Sequence, residues 1–302
     1  MGGSRMHHGW ILAGKSGLGK RDFAMAAARE LVAQAGIPQP PGDHPDIIEL
    51  TYGPKDDKAE RAAADGKDYE RARSIRVKQI RAMQKRLTTR PTLGDRRVII
   101  INPADEMEVS AANALLKSLE EPPQGTFFVL VTHRPSRLLP TIRSRCRVLR
   151  FPILKNAQLE TMLNEAGTQG DVETAIRAAE GSFGAALRFA EQDLAPLAAL
   201  ISDLLTKGDS NLSMRADLAR LIGPRADRAR LQAVLELAQA ITAGLARRVE
   251  DGNHRAALVE VHSDLVTLTA QAPNYNFDTG LLTLEIGTLL MRAAPASAPA
   301  HG

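Results

Sequence analysis

Trp10-Ile11-Leu12-Ala13-Gly14-Lys15-Ser16-Gly17-Leu18-Gly19-Lys20-Arg21 decides how the first half of this chain is read. A short apolar run leads straight into glycines, and Ala24, Ala27, Ala28, Leu31 and Val32 follow at helical spacing. Strand, glycine loop and helix in that order predict a phosphate-binding loop of the pattern G-x-x-x-x-G-K-[ST]. Backbone N–H groups in such a loop converge on phosphate oxygens, the helix N-terminus adds positive potential, and Lys20 would add a point charge. Gly14, Gly19 and Lys20 are therefore the candidate cofactor-binding residues. The last position, where a hydroxyl normally helps to hold Mg²⁺, is Arg21.

A second strand, Val98-Ile99-Ile100-Ile101, should end in a metal-binding carboxylate and ends instead in Asn102-Pro103. An asparagine carbonyl adds no charge for a hard cation. Pro103 stands where a water-orienting glutamate is expected. Together with Arg21 these departures argue against hydrolysis by this chain, while leaving room for residual binding of ATP or ADP that is not required. Asp105 and Glu106, just beyond the proline, read as acidic residues opening the helix at Ser110-Ala111-Ala112, whose N-terminal end they would favour.

Around these landmarks short β-branched runs alternate with helical patterns, the signature of an α/β domain with a parallel sheet covered by helices. Asp46–Leu50 and Phe127–Val131 are further strands; Val77, Ile80, Met83 and Leu87 mark an amphipathic helix; Ala111 to Leu119 is a helix halted by Glu120-Glu121-Pro122-Pro123. Pro54 to Ala72 is densely charged and reads as a mobile loop with nascent helix. Past Phe151-Pro152 nearly everything to Arg292 is helical, including Gln158–Ala166, Val172–Ala179 and Ala185–Ala190. The division expected is 1–151 for the α/β domain, 152–208 for a small helical domain, 209–292 for a larger one beginning near Asp209-Ser210-Asn211, and a disordered Ala/Pro/Ser-rich tail at 293–302.

With 302 residues, 44% of them hydrophobic and 25% charged, the chain has the composition of a soluble globular protein with room for two or three domains. No run approaches the roughly 18 apolar residues of a membrane span, and no secretory h-region opens the sequence, so a cytoplasmic protein without a membrane partner is expected. One cysteine, Cys146, excludes an internal disulfide and a multi-cysteine zinc site. A net charge of +4 permits nucleic-acid or acidic partners without demanding them.

Two longer motifs carry a resemblance. Ala111-Ala112-Asn113-Ala114-Leu115-Leu116-Lys117-Ser118-Leu119-Glu120-Glu121-Pro122-Pro123 resembles the signature of bacterial clamp-loader AAA+ subunits, and Leu138-Leu139-Pro140-Thr141-Ile142-Arg143-Ser144-Arg145-Cys146 resembles their SRC motif. His44-Pro45-Asp46 also fits, and the similarity, densest from His8 to Phe151, is to the family's delta-prime type. The resemblance implies a RecA-like AAA+ domain, a helical lid and an all-α collar that packs against partner subunits in a hetero-oligomer. It implies that Arg145 is an arginine finger meeting the γ-phosphate of an adjacent ATPase subunit, with Ser144 supporting it. A guanidinium is planar, permanently charged and suited to charge developing on phosphate oxygens.

The partners so implied are the clamp-loader ATPase subunits, the clamp-gripping delta subunit, and, through the complex, the sliding clamp and primer–template DNA. Cys146 reads as a small buried hydrophobe. Thr132 corresponds to a sensor position and reads equally as a polar strand cap; in the second sensor region, Gly181 to Leu187, Gly184 replaces the arginine of active relatives, with Arg188 one turn on. Two departures stand out: Ile37 to Asp43 is a Pro-rich connection in place of a four-cysteine module, so zinc is not expected, and only seven residues precede His8, where relatives often carry a helix that helps to enclose adenine. Rival readings are an active ATPase motor subunit and a DNA-binding protein using Arg71, Arg73, Arg76, Lys78, Arg81, Lys85, Arg86 and Arg90, residues that read more simply as a solvated helix face.

Overall fold

Val98, Ile99, Ile100 and Ile101 have no solvent-exposed surface, so the strand they form must be covered on both faces. Successive side chains of a strand point to opposite sides. Val98 and Ile100 join a cluster with Leu12, Val129, Val131 and the apolar stripe Ala24, Ala28 and Val32, whereas Ile99 and Ile101 join Ile11, Phe128, Leu130, Ile80, Leu115 and Ile142. Burying each of these large aliphatic side chains contributes about 1.5–3 kcal/mol.

The computed structural model describes residues 6–224, 226–271 and 278–295. The chain divides into two units, Met1–Ile153 and Leu154–Gly302. In the first unit the strands are β1 (Gly9–Ala13), β2 (Ile47–Leu50), β3 (Arg97–Ile101), β4 (Thr126–Thr132) and β5 (Arg147–Arg150). They form a parallel sheet in the order β2-β3-β4-β1-β5. Helix α1 (Lys20–Val32) covers one face; α3 (Val77–Leu87), α4 (Val109–Glu120) and the single turn α5 (Pro140–Arg143) cover the other. This is the α/β class read from the sequence.

Two parts of this unit differ from the sequence reading. Pro54 to Ala72, read as a mobile loop with nascent helix, carries a formed helix α2 (Asp57–Ala64), whose Asp56 carboxylate caps the Ala59 N–H at 2.8 Å. Backbone bonds Lys55 N–H to Glu70 O (2.9 Å) and Ala72 N–H to Gly53 O (2.7 Å) close the excursion at its base. The charges that suggested disorder are in part a cap and an ion pair, Lys78 to Glu60 at 2.7 Å. Strand β5 was not foreseen. It is an exposed edge strand whose Val148 and Leu149 lie between two arginines, too short an apolar signal to register.

A buried ion pair ties the sheet to its covering helix. Arg97 and Asp46 side chains are 4% and 1% exposed and lie 3.6 Å apart. Arg97 donates to the carbonyls of Arg86, Thr89 (3.1 Å) and Arg90 (2.9 Å), satisfying the C-terminal end of α3. Asp46 accepts from the Thr92 and Leu93 N–H groups at 2.6 and 2.8 Å. The His44-Pro45-Asp46 motif is thus a structural anchor.

The second unit is helical among its described residues: α6 (Asn156–Glu165), α7 (Val172–Ala179), α8 (Phe183–Glu191), α9 (Ala195–Lys207), α10 (Ser213–Ile222), α11 (Arg228–Ala246), α12 (Gly252–Gln271) and α13 (Thr279–Arg292). One hydrophobic cluster runs through it from Leu159 to Ala293 and continues across the 208/209 boundary. There Asp209 is buried, accepting from the Met214 and Arg215 N–H groups (3.1 and 3.0 Å) and pairing with Arg215 Nε at 3.2 Å. Its pKa is held below the usual carboxylate value because these donors outweigh the desolvation that opposes them. Of the expected tail, Ala293 is buried and donates to Leu290 O, and residues 296–302 lie outside the described residues. No helix among the described residues is long and apolar enough to cross a membrane.

Replacing Asp46 with Ala would leave the Arg97 guanidinium buried without its counter-charge. We expect a loss of about 3–5 kcal/mol, read as a lower urea midpoint for the transition reported by the single tryptophan, Trp10 in β1. An unchanged midpoint would show that the pair does not hold this unit together.

Candidate functional site

The loop from Gly14 to Gly19 leaves the carboxyl end of β1 and delivers the chain into α1. A Cβ at Gly14 would lie 2.6 Å from the Phe151 carbonyl oxygen, so close approach of backbone demands glycine there. At Gly19 the demand is conformational, φ being +71°. Lys20 is buried, and its ammonium donates to the Gly14 carbonyl at 2.7 Å and the Lys15 carbonyl at 2.5 Å. Burial lowers its pKa to about 8, opposed by the nearby Asp105 carboxylate.

Arg21, at the magnesium-ligand position, forks onto Glu49 of β2: Nε to Oε1 is 2.7 Å and Nη2 to Oε2 is 2.6 Å. This bidentate pairing raises the arginine's pKa. Asn102 follows β3, its N–H bonded to the Leu50 carbonyl. Asp105 and Glu106 do not open α4, which begins at Val109 with Glu108 preceding it. They fall in a separate 3₁₀ turn, Ala104–Glu106. Asp105 is buried there, one oxygen accepting the His133 N–H at 3.0 Å and the other without a hydrogen-bond partner. Glu106 faces outward to Arg137 and Arg134 at 3.2 and 3.6 Å.

Lys20, Tyr52, Asp105 and His133 follow the carboxyl ends of β1, β2, β3 and β4, the edge where open parallel sheets place their ligands. Burial pushes the Tyr52 hydroxyl up to about 12, helped by Glu106 and Asp105. Burial, then Lys20, lowers the His133 pKa. Nothing in the sequence pointed to Tyr52 or His133; only the strand order brings them beside the loop. Thr132, also buried, uses its hydroxyl to accept the Arg134 N–H at 3.2 Å, as a strand cap does.

The arginine motif lies ahead of the edge strand. Leu138 and Ile142 are sunk in the sheet's core, pinning α5, while Ser144 and Arg145 emerge beyond it. Arg145 Nη1 donates to the Thr141 carbonyl at 2.9 Å and Ser144 Oγ at 3.2 Å, and Nη2 lies 2.6 Å from Glu120 Oε1. Ser144 Oγ in turn donates to the Thr141 carbonyl at 3.0 Å. In the second unit, Arg188 is paired with Glu236 at 2.6 Å. Cations on α3 also have local partners: Lys78 pairs with Glu60, and Arg86 donates to the Pro45 carbonyl at 2.8 Å.

A parallel sheet ordered β2-β3-β4-β1-β5, with a phosphate-type loop after β1 and an arginine-bearing turn ahead of β5, defines an AAA+ domain. A gamma-subunit-related protein of DNA polymerase III from Thermotoga maritima has the same fold, with a TM-score of 0.54 at 18% identity over 95% of each chain. A family model described as DNA polymerase III, delta subunit, matches residues 2–155, and the chain belongs to that family.

Over 159 residues it is 38% identical to DNA polymerase III subunit delta' of Pseudomonas aeruginosa, covering 48% of this chain and 44% of that one. The corresponding protein of Bacillus subtilis is 34% identical over 172 residues, covering 53% and 47%. Subunit tau of Escherichia coli is 31% identical over 225 residues, covering 72% of this chain and 32% of that protein. The chain thus spans about half the length of the delta-prime relatives it matches. These likenesses are to the delta-prime, tau and gamma subunits of DNA polymerase III.

Cys146 adjoins the arginine but is not equipped as a nucleophile, because burial raises its pKa to about 11. At pH 8 about one thiol in a thousand is then ionised. We expect alkylation by iodoacetamide to be far slower than that of a free thiol at pH 8 and to accelerate only toward pH 11. Rapid labelling of the folded protein at pH 8 would contradict this placement.

Proposed function

We propose that this chain is a non-hydrolysing, delta-prime-type subunit of a clamp loader that completes the nucleotide site of a neighbouring ATPase subunit with Arg145. The observation that carries this reading is the Arg21–Glu49 fork. At the position of a magnesium-binding hydroxyl it sets a fixed positive charge, bound at both ends to the nearest carboxylate of β2. Arg21 offers a divalent cation no oxygen ligand and its own charge opposes one, and Asn102 adds no negative charge. Lys20, turned onto its own loop carbonyls, adds to the reading that the loop is held for shape.

Chemistry in such a system falls to Arg145. Charge spreads over the oxygens of a transferring phosphoryl group, and a guanidinium mounted on a rigid turn stabilises it with little reorganisation. The mount is α5, fixed by Leu138 and Ile142; Ser144 braces the guanidinium. The neighbour is an ATPase subunit of the tau or gamma kind in a cytoplasmic hetero-oligomer that places a sliding clamp on primed DNA. The helical second unit supplies the lid and the collar through which subunits assemble.

The test compares clamp- and DNA-stimulated ATPase of the reconstituted complex carrying wild-type chain or Arg145→Ala at equal incorporation. Arginine fingers contribute on the order of 10³–10⁵ in rate at the site they serve, so turnover should fall clearly, while the isolated chain shows no magnesium-dependent turnover. An unchanged rate in the Arg145→Ala complex would remove the residue from catalysis.

A further inference from the structure

Glu120 is the last residue of α4, and Glu121 follows it immediately. The C-terminal end of a helix carries partial negative charge, so two successive carboxylates there are electrostatically misplaced. A residue that breaks a local rule is explained by what else it does. Glu120 Oε1 lies 2.6 Å from Arg145 Nη2, and the two side chains are 48% and 35% exposed. An ion pair this open to water contributes little to the stability of the fold. Its effect is instead on orientation.

An arginine side chain loses considerable rotamer freedom when held in one geometry. Here three anchors hold it from two directions: the Thr141 carbonyl and Ser144 hydroxyl on Nη1, and the Glu120 carboxylate on Nη2. The first two come from the same turn as Arg145 and both engage Nη1, so alone they leave the Nη2 edge of the guanidinium unheld. Glu120 comes from α4, whose Leu115 and Leu119 are buried in the core, and the Leu119 carbonyl accepts from His8 Nε2 at 2.9 Å ahead of β1. The carboxylate therefore holds Nη2 from a second element anchored in the same core as α5. A guanidinium has five N–H donors, and these contacts leave donors for a phosphate oxygen.

From this geometry we propose that Glu120 is a positioning residue for Arg145, fixing the guanidinium before a neighbour's nucleotide meets it. The proposal rests on the reading of Arg145 as a group donated in trans. Preorganisation of this kind raises turnover without changing how tightly the neighbour holds its nucleotide. Removing one anchor should cost only part of what removing the arginine costs.

The experiment uses the reconstituted complex with full-length wild-type chain, Glu120→Ala, Glu120→Gln, Arg145→Ala and the Glu120→Ala/Arg145→Ala double variant. It measures kcat and KM for ATP with clamp and primed DNA present. We expect Glu120→Ala to lower kcat about 3- to 10-fold, in keeping with the modest strength of an exposed pair, and to leave KM within about twofold. Glu120→Gln should restore most of the loss, because its amide oxygen still accepts from Nη2.

The double variant should match Arg145→Ala alone, as two residues acting through one contact do. An unchanged or raised kcat in Glu120→Ala would overturn the proposal. So would failure of Glu120→Gln to restore activity, or an additive loss in the double variant. Should Arg145→Ala itself leave turnover unchanged, the underlying reading falls; should Arg145→Ala act and Glu120→Ala not, only the positioning role falls.

Discussion

Complete burial of β3 is the constraint from which the first unit follows. A strand with no exposed side chain must have apolar cover on both faces, and α1 on one side with α3 and α4 on the other supply it. Parallel pairing on both edges of β3 then leaves the loops after β1, β2, β3 and β4 at one rim of the sheet. Lys20, Tyr52, Asp105 and His133 meet there because of that order, although 113 residues of sequence separate the first from the last. The Asp46–Arg97 pair secures the same arrangement from the amino ends of β2 and β3 and fastens α3 down.

Charge organises what burial has assembled. At the sheet's carboxyl edge the loop's cations pair with the protein itself: Lys20 with carbonyls of its own loop, Arg21 with Glu49. Arg145 is likewise paired within the protein, to Glu120, Thr141 and Ser144, and stays partly exposed. Of the three only Lys20 is buried; the Arg21 side chain, 54% exposed, is more open to water than that of Arg145 at 35%.

Much of this was legible in the sequence where periodicity or a long motif carried it. Trp10–Ala13, the glycine loop and the following alanine stripe specify strand, turn and helix through their spacing, and Val98–Ile101 announces a two-faced strand by its uninterrupted aliphatic run. Strand β5 escaped because an exposed edge needs no apolar alternation, and Arg147 and Arg150 mask the two apolar residues between them. Helix α2 registered only as nascent because its polar composition matches that of a loop; the Asp56 cap and the closing backbone bonds define it. Asp105 was misassigned because linear distance to α4 suggested a helix opener. The turn after Pro103 carries it into the interior instead.

The contact between Gly14 and Phe151 ties the loop after β1 to the edge strand. The Phe151 N–H is bonded to the Ala13 carbonyl, and its own carbonyl leaves no room for a side chain at Gly14. Phe151 directly follows β5, the strand that begins two residues after Arg145. The first glycine of the loop is thereby a spacer in the wall that supports the arginine. Arg21 and Asn102 lie outside that contact, whereas a side chain at Gly14 would deform the wall. A loop in this position is held to glycine by the strand it touches, whatever else the loop does.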